Sequence, residues 1–128
     1  MIVKQLSVFL ENRQGRLGEV LRVLKENQVN IQSLSLADTT EYGLLRLIVD
    51  NPETGKEKLC EAGFSAMLTN VFLIKVPHEP GSLQKVLQII SEQEINVEYM
   101  YALTVKGDEA AVVMKTSDLE KARKVFEN

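Results

Sequence analysis

The chain contains a gapless internal repeat, and this repeat limits the folds that are open to it. Gly15 aligns with Gly81 and Asn30 aligns with Asn96, an offset of 66 residues. The same offset joins Leu17 to Leu83, Val20 to Val86, Leu21 to Leu87 and Glu26 to Glu92. Two copies are too few for a solenoid, which needs several stacked repeats. We therefore expect two small domains in tandem, at 1–69 and 70–128 of the 128 residues.

Each copy predicts the same order of structural elements. Leu17, Val20, Leu21 and Leu24 recur at helical spacing and indicate an amphipathic helix. The predicted elements are strand 4–11, helix 16–27, strands 30–38 and 44–50, a second helix and strand 64–69, and then 71–77, 82–93, 96–105, 110–116 and a last helix. The order β-α-β-β-α-β predicts an α+β fold of two ferredoxin-like sandwiches, each an antiparallel sheet with its helices on one face.

Capping residues mark the second helix of each copy. Asn51 is expected to cap the first of these helices, with Pro52 at its first turn, and Gly63 to end it. Ser117, with Glu120 three residues later, predicts a capping box at the equivalent position. The counterpart of 63–69 would lie beyond residue 128, so the second domain is expected to lack its last strand. Either the chain is shortened there or a partner strand fills the gap.

Composition excludes several classes of function. The net charge of -3 argues against nucleic acid or an anionic membrane as a partner. With one cysteine, Cys60, and one histidine, His78, the chain can form neither an internal disulfide nor a Cys/His metal cluster. We therefore expect a cytoplasmic protein without a metal or cofactor. An enzyme using Cys60 or His78 is the least favoured hypothesis, since Cys60 reads as a buried helical thiol.

A glycine-containing loop follows the first strand of each copy, at 12–17 and 78–83. Glycine allows another group to approach the backbone closely. Each loop leads into a helix N-terminus, where unpaired N–H groups and the helix dipole favour a carboxylate or another anion. Alternatively the glycine only makes the turn, or the ligand is a phosphate.

These loops resemble those of the ACT domain, a small βαββαβ regulatory module that binds amino acids. The family pattern is roughly D-x-P-G-x-L, followed by a hydrophobic-Asn-hydrophobic triplet. His78-x-Pro80-Gly81-x-Leu83 and Asn12-x-Gln14-Gly15-x-Leu17 resemble it, although His78 replaces the aspartate and the first copy lacks the proline. Ile95-Asn96-Val97 and Val29-Asn30-Ile31 match the triplet. The whole chain resembles small bacterial or archaeal proteins that consist of two ACT domains.

The resemblance implies a ligand site where ACT units meet. Its candidate residues are Asn12, Arg13, Gln14, Gly15, Arg16, Leu17, Asn30, Ile31, His78, Pro80, Gly81, Ser82, Leu83 and Asn96. We favour the first loop, because His78 replaces the aspartate of the family pattern and cannot hold an ammonium group as a carboxylate would. Simpler interpretations stay open: His78 as a solvated residue, Arg16 as a surface charge, and Asn30 and Asn96 as turn residues.

The resulting hypothesis is a non-catalytic sensor of a small amino acid, such as a hydrophobic or branched-chain one. The alternative is an interaction module without its own ligand, similar to the regulatory subunit of acetolactate synthase. The partners expected are the amino acid, a second copy of the chain in a homodimer, and a biosynthetic enzyme.

Overall fold

The computed structural model describes residues 1–11, 13–38 and 42–127, and these form six strands and four helices. The elements are β1 (Ile2–Glu11), α1 (Arg16–Glu26), β2 (Ile31–Asp38), β3 (Tyr42–Val49), α2 (Pro52–Glu61), β4 (Ser65–Pro77), α3 (Ser82–Glu92), β5 (Val97–Lys106), β6 (Glu109–Thr116) and α4 (Leu119–Glu127). The predicted α+β class with βαββαβ order is therefore confirmed. Of the turn that the sequence predicts at Thr39–Tyr42, residues 39–41 lie outside the described residues, and Tyr42 already belongs to β3.

The first unit comprises Lys4–Thr69. Its strands lie in the order β2-β3-β1-β4, and β3 is antiparallel to both β1 and β2. Both helices bury their apolar residues on the same face of this sheet. The core residues are Leu6, Val8, Leu10, Val20, Val23, Leu24, Val29, Leu45, Leu47, Val49, Leu59 and Phe64. Because α1 packs on this face, its first residues lie beside the end of β1.

The second unit comprises Met1–Val3 and Asn70–Asn128. Its strands β4, β6 and β5 lie side by side and antiparallel. Its core residues are Phe72, Ile74, Val76, Val86, Ile90, Ile95, Ala110, Val112, Met114 and Ala122. The amide of Leu73 donates to the carbonyl of Met1 at 2.7 Å. The first residues of β1 therefore pair with β4, in the place where the first unit has its last strand.

The backbone repeats more faithfully than the sequence does. Gln28 and Glu94, 66 residues apart, both have positive φ angles, of 56° and 59°. After each of them a backbone amide returns to the preceding helix, from Val29 to Leu24 and from Ile95 to Ile90. The two copies therefore share the same helix-ending motif although the residue with the left-handed conformation differs.

The predicted ends of α2 are confirmed. The Asn51 side chain accepts a hydrogen bond from the Thr54 amide at 3.3 Å, and Pro52 is the first helical residue. At the other end Gly63 has a φ of +93°, and the amide of Phe64 donates to the carbonyl of Leu59 at 2.9 Å. This turn directs the chain from α2 into β4.

The predicted cap of the last helix was wrong by one residue. The carboxylate of Asp118 accepts from the Lys121 amide at 3.0 Å, so Asp118 begins α4. The Ser117 hydroxyl instead accepts from the backbone amide of Asn96 at 2.9 Å. Asp118 takes the role because the serine is already bonded to the turn before β5.

Two further expectations differ from the structure. We expected separate strands at 64–69 and 71–77, but β4 runs without interruption through Thr69 and Asn70. Cys60 lies on α2 as expected, but it is exposed and not buried, because Gly55 and Leu59 form the buried side of that helix. Among the described residues, no helix is long and apolar enough to span a membrane.

Two glycines near the beginning of α1 give a matched test of this backbone. Gly15 has a φ of +89°, whereas Gly18 lies within the helix, and an added Cβ would meet no atom within 4 Å at either position. We expect Gly15→Ala to lower the free energy of unfolding by about 1–2 kcal/mol, because a Cβ strains the left-handed conformation. Gly18→Ala should raise it by about 1 kcal/mol through helix propensity. Urea denaturation measures the free energy of unfolding of both variants. Changes of the same sign in the two variants would contradict the left-handed conformation of Gly15.

The pairing of Met1 with Leu73 can be tested by hydrogen exchange. Deleting residues 1–3 should accelerate exchange of the Leu73 amide, since this deletion removes its acceptor. The amides of Phe72 and Ile74 point to the opposite edge of β4, toward β6, and serve as internal controls that should stay protected. Unchanged exchange at Leu73 in the deleted chain would contradict the pairing.

Candidate functional site

The first glycine loop connects the end of β1 to α1. The Arg13 amide donates to the Glu11 carbonyl at 2.8 Å, and Gly15 then adopts its left-handed conformation as the residue before the helix. The amides of Leu17 and Gly18 find no acceptor among the described residues, because the loop supplies no capping side chain. Asn12, a predicted ligand residue, lies outside the described residues. Two backbone donors therefore point out of the helix beginning.

Arg16, the first residue of α1, is held more tightly than a surface charge. Its side chain is only 17% exposed, and its Nη1 lies 2.7 Å from Oε2 of Glu19. Its guanidinium carbon lies 4.3 Å from the centre of the Phe64 ring, a distance typical of a cation–π contact. Its Nε is buried and has no hydrogen-bond partner among the described residues. This orphaned donor is costly in a folded protein.

Two cavities adjoin Arg16. One of about 100 Å³ is lined by Leu10, Glu11, Arg13, Arg16, Leu17, Leu36 and Gly43. The other, of about 190 Å³, is lined by Phe9, Leu10, Glu11, Arg16, Tyr42, Gly63, Phe64 and Ser65. Leu10, Glu11 and Arg16 line both. We call them the loop cavity and the aromatic cavity. They lie around the end of β1, and each is small enough to suit a metabolite and not a drug-sized molecule.

Opposite charges meet at the loop cavity. Nε of Arg13 lies 3.0 Å from Oε2 of Glu11, and both side chains are more than half exposed. A guanidinium and unpaired helix amides favour a carboxylate, whereas the Glu11 carboxylate favours an ammonium group. Leu17 is half-buried and packs against the core, and Gln14 lies exposed in the turn. The arrangement therefore presents complementary groups to both charged ends of a small zwitterion.

The second glycine loop repeats the backbone without repeating the chemistry. Gly81 has a φ of +87°, nearly the same as Gly15, and α3 likewise begins without a side-chain cap. Its exposed neighbours include Pro80 and His78, whose amide donates to the carbonyl of Asp108 at 2.6 Å. Leu83 packs against the second core, as Leu17 does against the first.

Three side chains distinguish the two loops. Pro77, Glu79 and Ser82 occupy the positions of Glu11, Arg13 and Arg16. Both guanidinium groups of the first loop are therefore absent from the second, and Ser82 is buried where Arg16 reaches across Phe64.

The asparagines of the hydrophobic triplets lie at the other end of their sheets. The Asn30 amide donates to the Asp50 carboxylate at 2.9 Å, and the Asp50 amide donates back to the Asn30 carbonyl at 3.1 Å. Asn96 exchanges equivalent bonds with Ser117. Because β2 runs from Ile31 to Asp38 beside β3, Asn30 and Ile31 lie roughly 20 Å from the first loop within their unit. The structure does not bring them together with that loop in one unit.

Several lining residues were missed by the sequence reasoning. Phe64 is 48 positions from Arg16, and Leu36 and Gly43 belong to other strands. Only the pairing of β1 with β3, which places Leu10 opposite Gly43, brings these strands to the loop. The local indication that Phe64 belongs to the site was Gly63, whose turn directs Phe64 back toward α1. Within the described ranges no cluster of three or more His, Cys, Asp or Glu side chains could hold a metal ion.

Solved structures share this fold along nearly the whole chain. The protein BT0572 from Bacteroides thetaiotaomicron is 38% identical, with a TM-score of 0.94 over 99% of this chain and 88% of that one. The regulatory subunit of aspartate kinase from Thermus thermophilus is 14% identical, with a TM-score of 0.70 over 99% and 95% of the two chains. The corresponding subunit from Thermus flavus is 14% identical, with a TM-score of 0.65 over 99% and 94%. None of the curated proteins matches the chain.

The model of one protein family, described as the ACT domain pair, matches residues 1–128. This match covers both copies of the repeat and agrees with the two glycine loops and the βαββαβ order. The chain therefore belongs to the ACT domain pair family.

Proposed function

We propose that the chain is a non-catalytic regulatory protein that binds an α-amino acid with an apolar side chain at the first glycine loop. The observation that carries this proposal is the largely enclosed guanidinium of Arg16, which lines both cavities, beside the amides of Leu17 and Gly18, for which the described residues supply no acceptor. These donors match a carboxylate. The likeness to regulatory subunits of aspartate kinase supports regulation as the role.

Each end of an amino acid finds a complementary group here. The carboxylate is bound by the helix amides and Arg16, and the ammonium group by Glu11. The side chain lies against the apolar residues around Arg16, such as Leu10, which lines both cavities. The amide oxygen of Asn12, which the ACT resemblance assigns to the ligand, has the chemistry to accept from the same ammonium group. The second loop, without the two arginines, contributes at most a weak site through Gly81, Ser82 and Leu83.

A homodimer is part of the proposal. Leu34 and Leu36 on β2 are each 47% exposed, and Val105 on β5 is 54% exposed. Apolar residues exposed on strands at the edges of a sheet favour association with another chain. The same observation supports the alternative function, an interaction module that binds a biosynthetic enzyme and needs no ligand.

A cytoplasmic location is also part of the proposal. The single cysteine of the chain, Cys60, is free and exposed, which suits a reducing cytoplasm.

Thermal unfolding in the presence of each of the twenty amino acids tests the sensor function. Ligand at a hundredfold excess over its Kd should stabilise the fold by about 2.7 kcal/mol. Arg16→Ser, which introduces the residue of the second loop, should weaken binding roughly tenfold to a hundredfold, because it removes a charged hydrogen-bond donor. Arg22→Ser is the matched control, since Arg22 lies on the same helix and is 66% exposed.

The outcomes separate the two functions. Stabilisation that depends on Arg16 and not on Arg22 supports the sensor. Stabilisation by none of the twenty amino acids would count against it and favour the interaction module. Capture of one biosynthetic enzyme by the wild-type protein, unaffected by amino acids, would support that alternative directly.

The homodimer is tested by light scattering at micromolar concentration. We expect twice the mass of the chain for the wild-type protein, and we expect Leu34→Asp to shift the mass toward the monomer. Val105→Asp makes the same change on β5, and its mass in solution is compared with that of Leu34→Asp on β2. A wild-type monomer would contradict the proposal.

A further inference from the structure

The aromatic cavity gathers a large part of the aromatic residues of the chain. The sequence has four phenylalanines, three tyrosines and no tryptophan, and three of these seven residues, Phe9, Tyr42 and Phe64, line this one cavity. Glu11 pairs with Tyr42, and Phe9 pairs with Leu44. Phe9 and Tyr42 are therefore diagonal neighbours on one face of β1 and β3, close enough to contact the same ring.

The walls of this cavity are only partly covered. Phe9 is 51% exposed and Tyr42 is 57% exposed, whereas Phe64 is buried beneath the Arg16 guanidinium. Gly63 and Ser65, on either side of Phe64, are small residues that leave the cavity open. Covering exposed aromatic surface with an apolar group is favourable, and a second ring adds stacking to that burial.

We propose that the aromatic cavity receives the side chain of the ligand, and that this ligand is an aromatic α-amino acid. The inference rests on the proposed function, because it places the carboxylate at Arg16 and the amides of α1. The side chain of a ligand held there can extend into either cavity, because Arg16 lines both. The loop cavity is the smaller and is the one that Arg13 lines, so it suits the charged end of the ligand. The larger cavity suits the ring.

Arg16 favours an aromatic ring for a second reason. Its guanidinium already packs against the Phe64 ring at 4.3 Å. A cation in this position attracts aromatic faces and not aliphatic chains, because the aromatic face carries partial negative charge. Arg16 on the helix side, and Phe9 and Tyr42 on the opposite face of the sheet, line the same cavity, and both sides favour an aromatic side chain over a branched-chain one.

Tryptophan fluorescence tests the inference with little background. Because the chain has no tryptophan, emission excited at the red edge of indole absorption comes from free or bound L-tryptophan alone. L-phenylalanine, L-leucine and L-valine are measured by competition and by calorimetry. We expect L-tryptophan or L-phenylalanine to bind at least about tenfold more tightly than L-valine, the ratio that stacking and added apolar burial provide.

The Phe9→Ala variant tests whether the side chain of the ligand binds in the aromatic cavity. It should weaken binding of the aromatic amino acid about fivefold to tenfold and change L-valine binding by less than about twofold. Met67→Ala is the matched control, since Met67 is also 51% exposed but lines neither cavity. We expect it to leave both affinities unchanged. Circular dichroism confirms that both variants are folded.

Each contrary result has a distinct meaning. Amino-acid binding that depends on Arg16 but shows no aromatic preference would overturn this inference and leave the proposed function standing. An aromatic preference that survives Phe9→Ala unchanged would overturn the placement of the ring in the aromatic cavity. Failure of every amino acid to bind the wild-type protein would overturn both the inference and the proposed function.

Discussion

The left-handed conformation of Gly15 is the constraint on which the candidate site depends. It lets α1 begin after a connection of only four residues from the end of β1, so the beginning of the helix lies directly beside the strand that it covers. Because a glycine has no side chain to cap the helix, the amides of Leu17 and Gly18 find no acceptor in the part of the chain that the structure describes. The same turn directs Arg16 across Phe64. This backbone angle thus accounts for the exposed amides and for the position of residue 16 beside β1, whereas strand pairing supplies the walls.

The second copy shows how much of this arrangement the fold alone requires. Gly81 reproduces the angle of Gly15 within a few degrees, and Glu94 reproduces that of Gln28. The backbone of the repeat has therefore been retained while its side chains have changed. Sequence identity underestimates this similarity, because a left-handed position requires a conformation and several residue types can adopt it at a modest cost.

Local patterns predicted the parts of the structure that local forces determine. The apolar spacing in Leu17–Leu24 and the Asn51 cap depend on residues a few positions apart, and both predictions are confirmed. The contact between Arg16 and Phe64 depends on strand pairing across the unit, so no local pattern reveals it. The pairing of Met1 with Leu73 is also long-range. The cap at Asp118 was missed because two adjacent residues could each serve, and a distant amide at Asn96 decided between them.

Arg16 departs from the rule that buried donors are hydrogen-bonded, whereas Ser82, its counterpart in the repeat, does not. A buried guanidinium nitrogen without an acceptor costs stability, and proteins usually retain such a cost only where function requires it. The fold does not need arginine at this position, because Ser82 begins an equivalent helix after an equivalent glycine. The repeat therefore supplies an internal control: the difference between Arg16 and Ser82 cannot be explained by the helix beginning, which both share. The carboxylate of the proposed ligand would account for an arginine at one loop and not at the other.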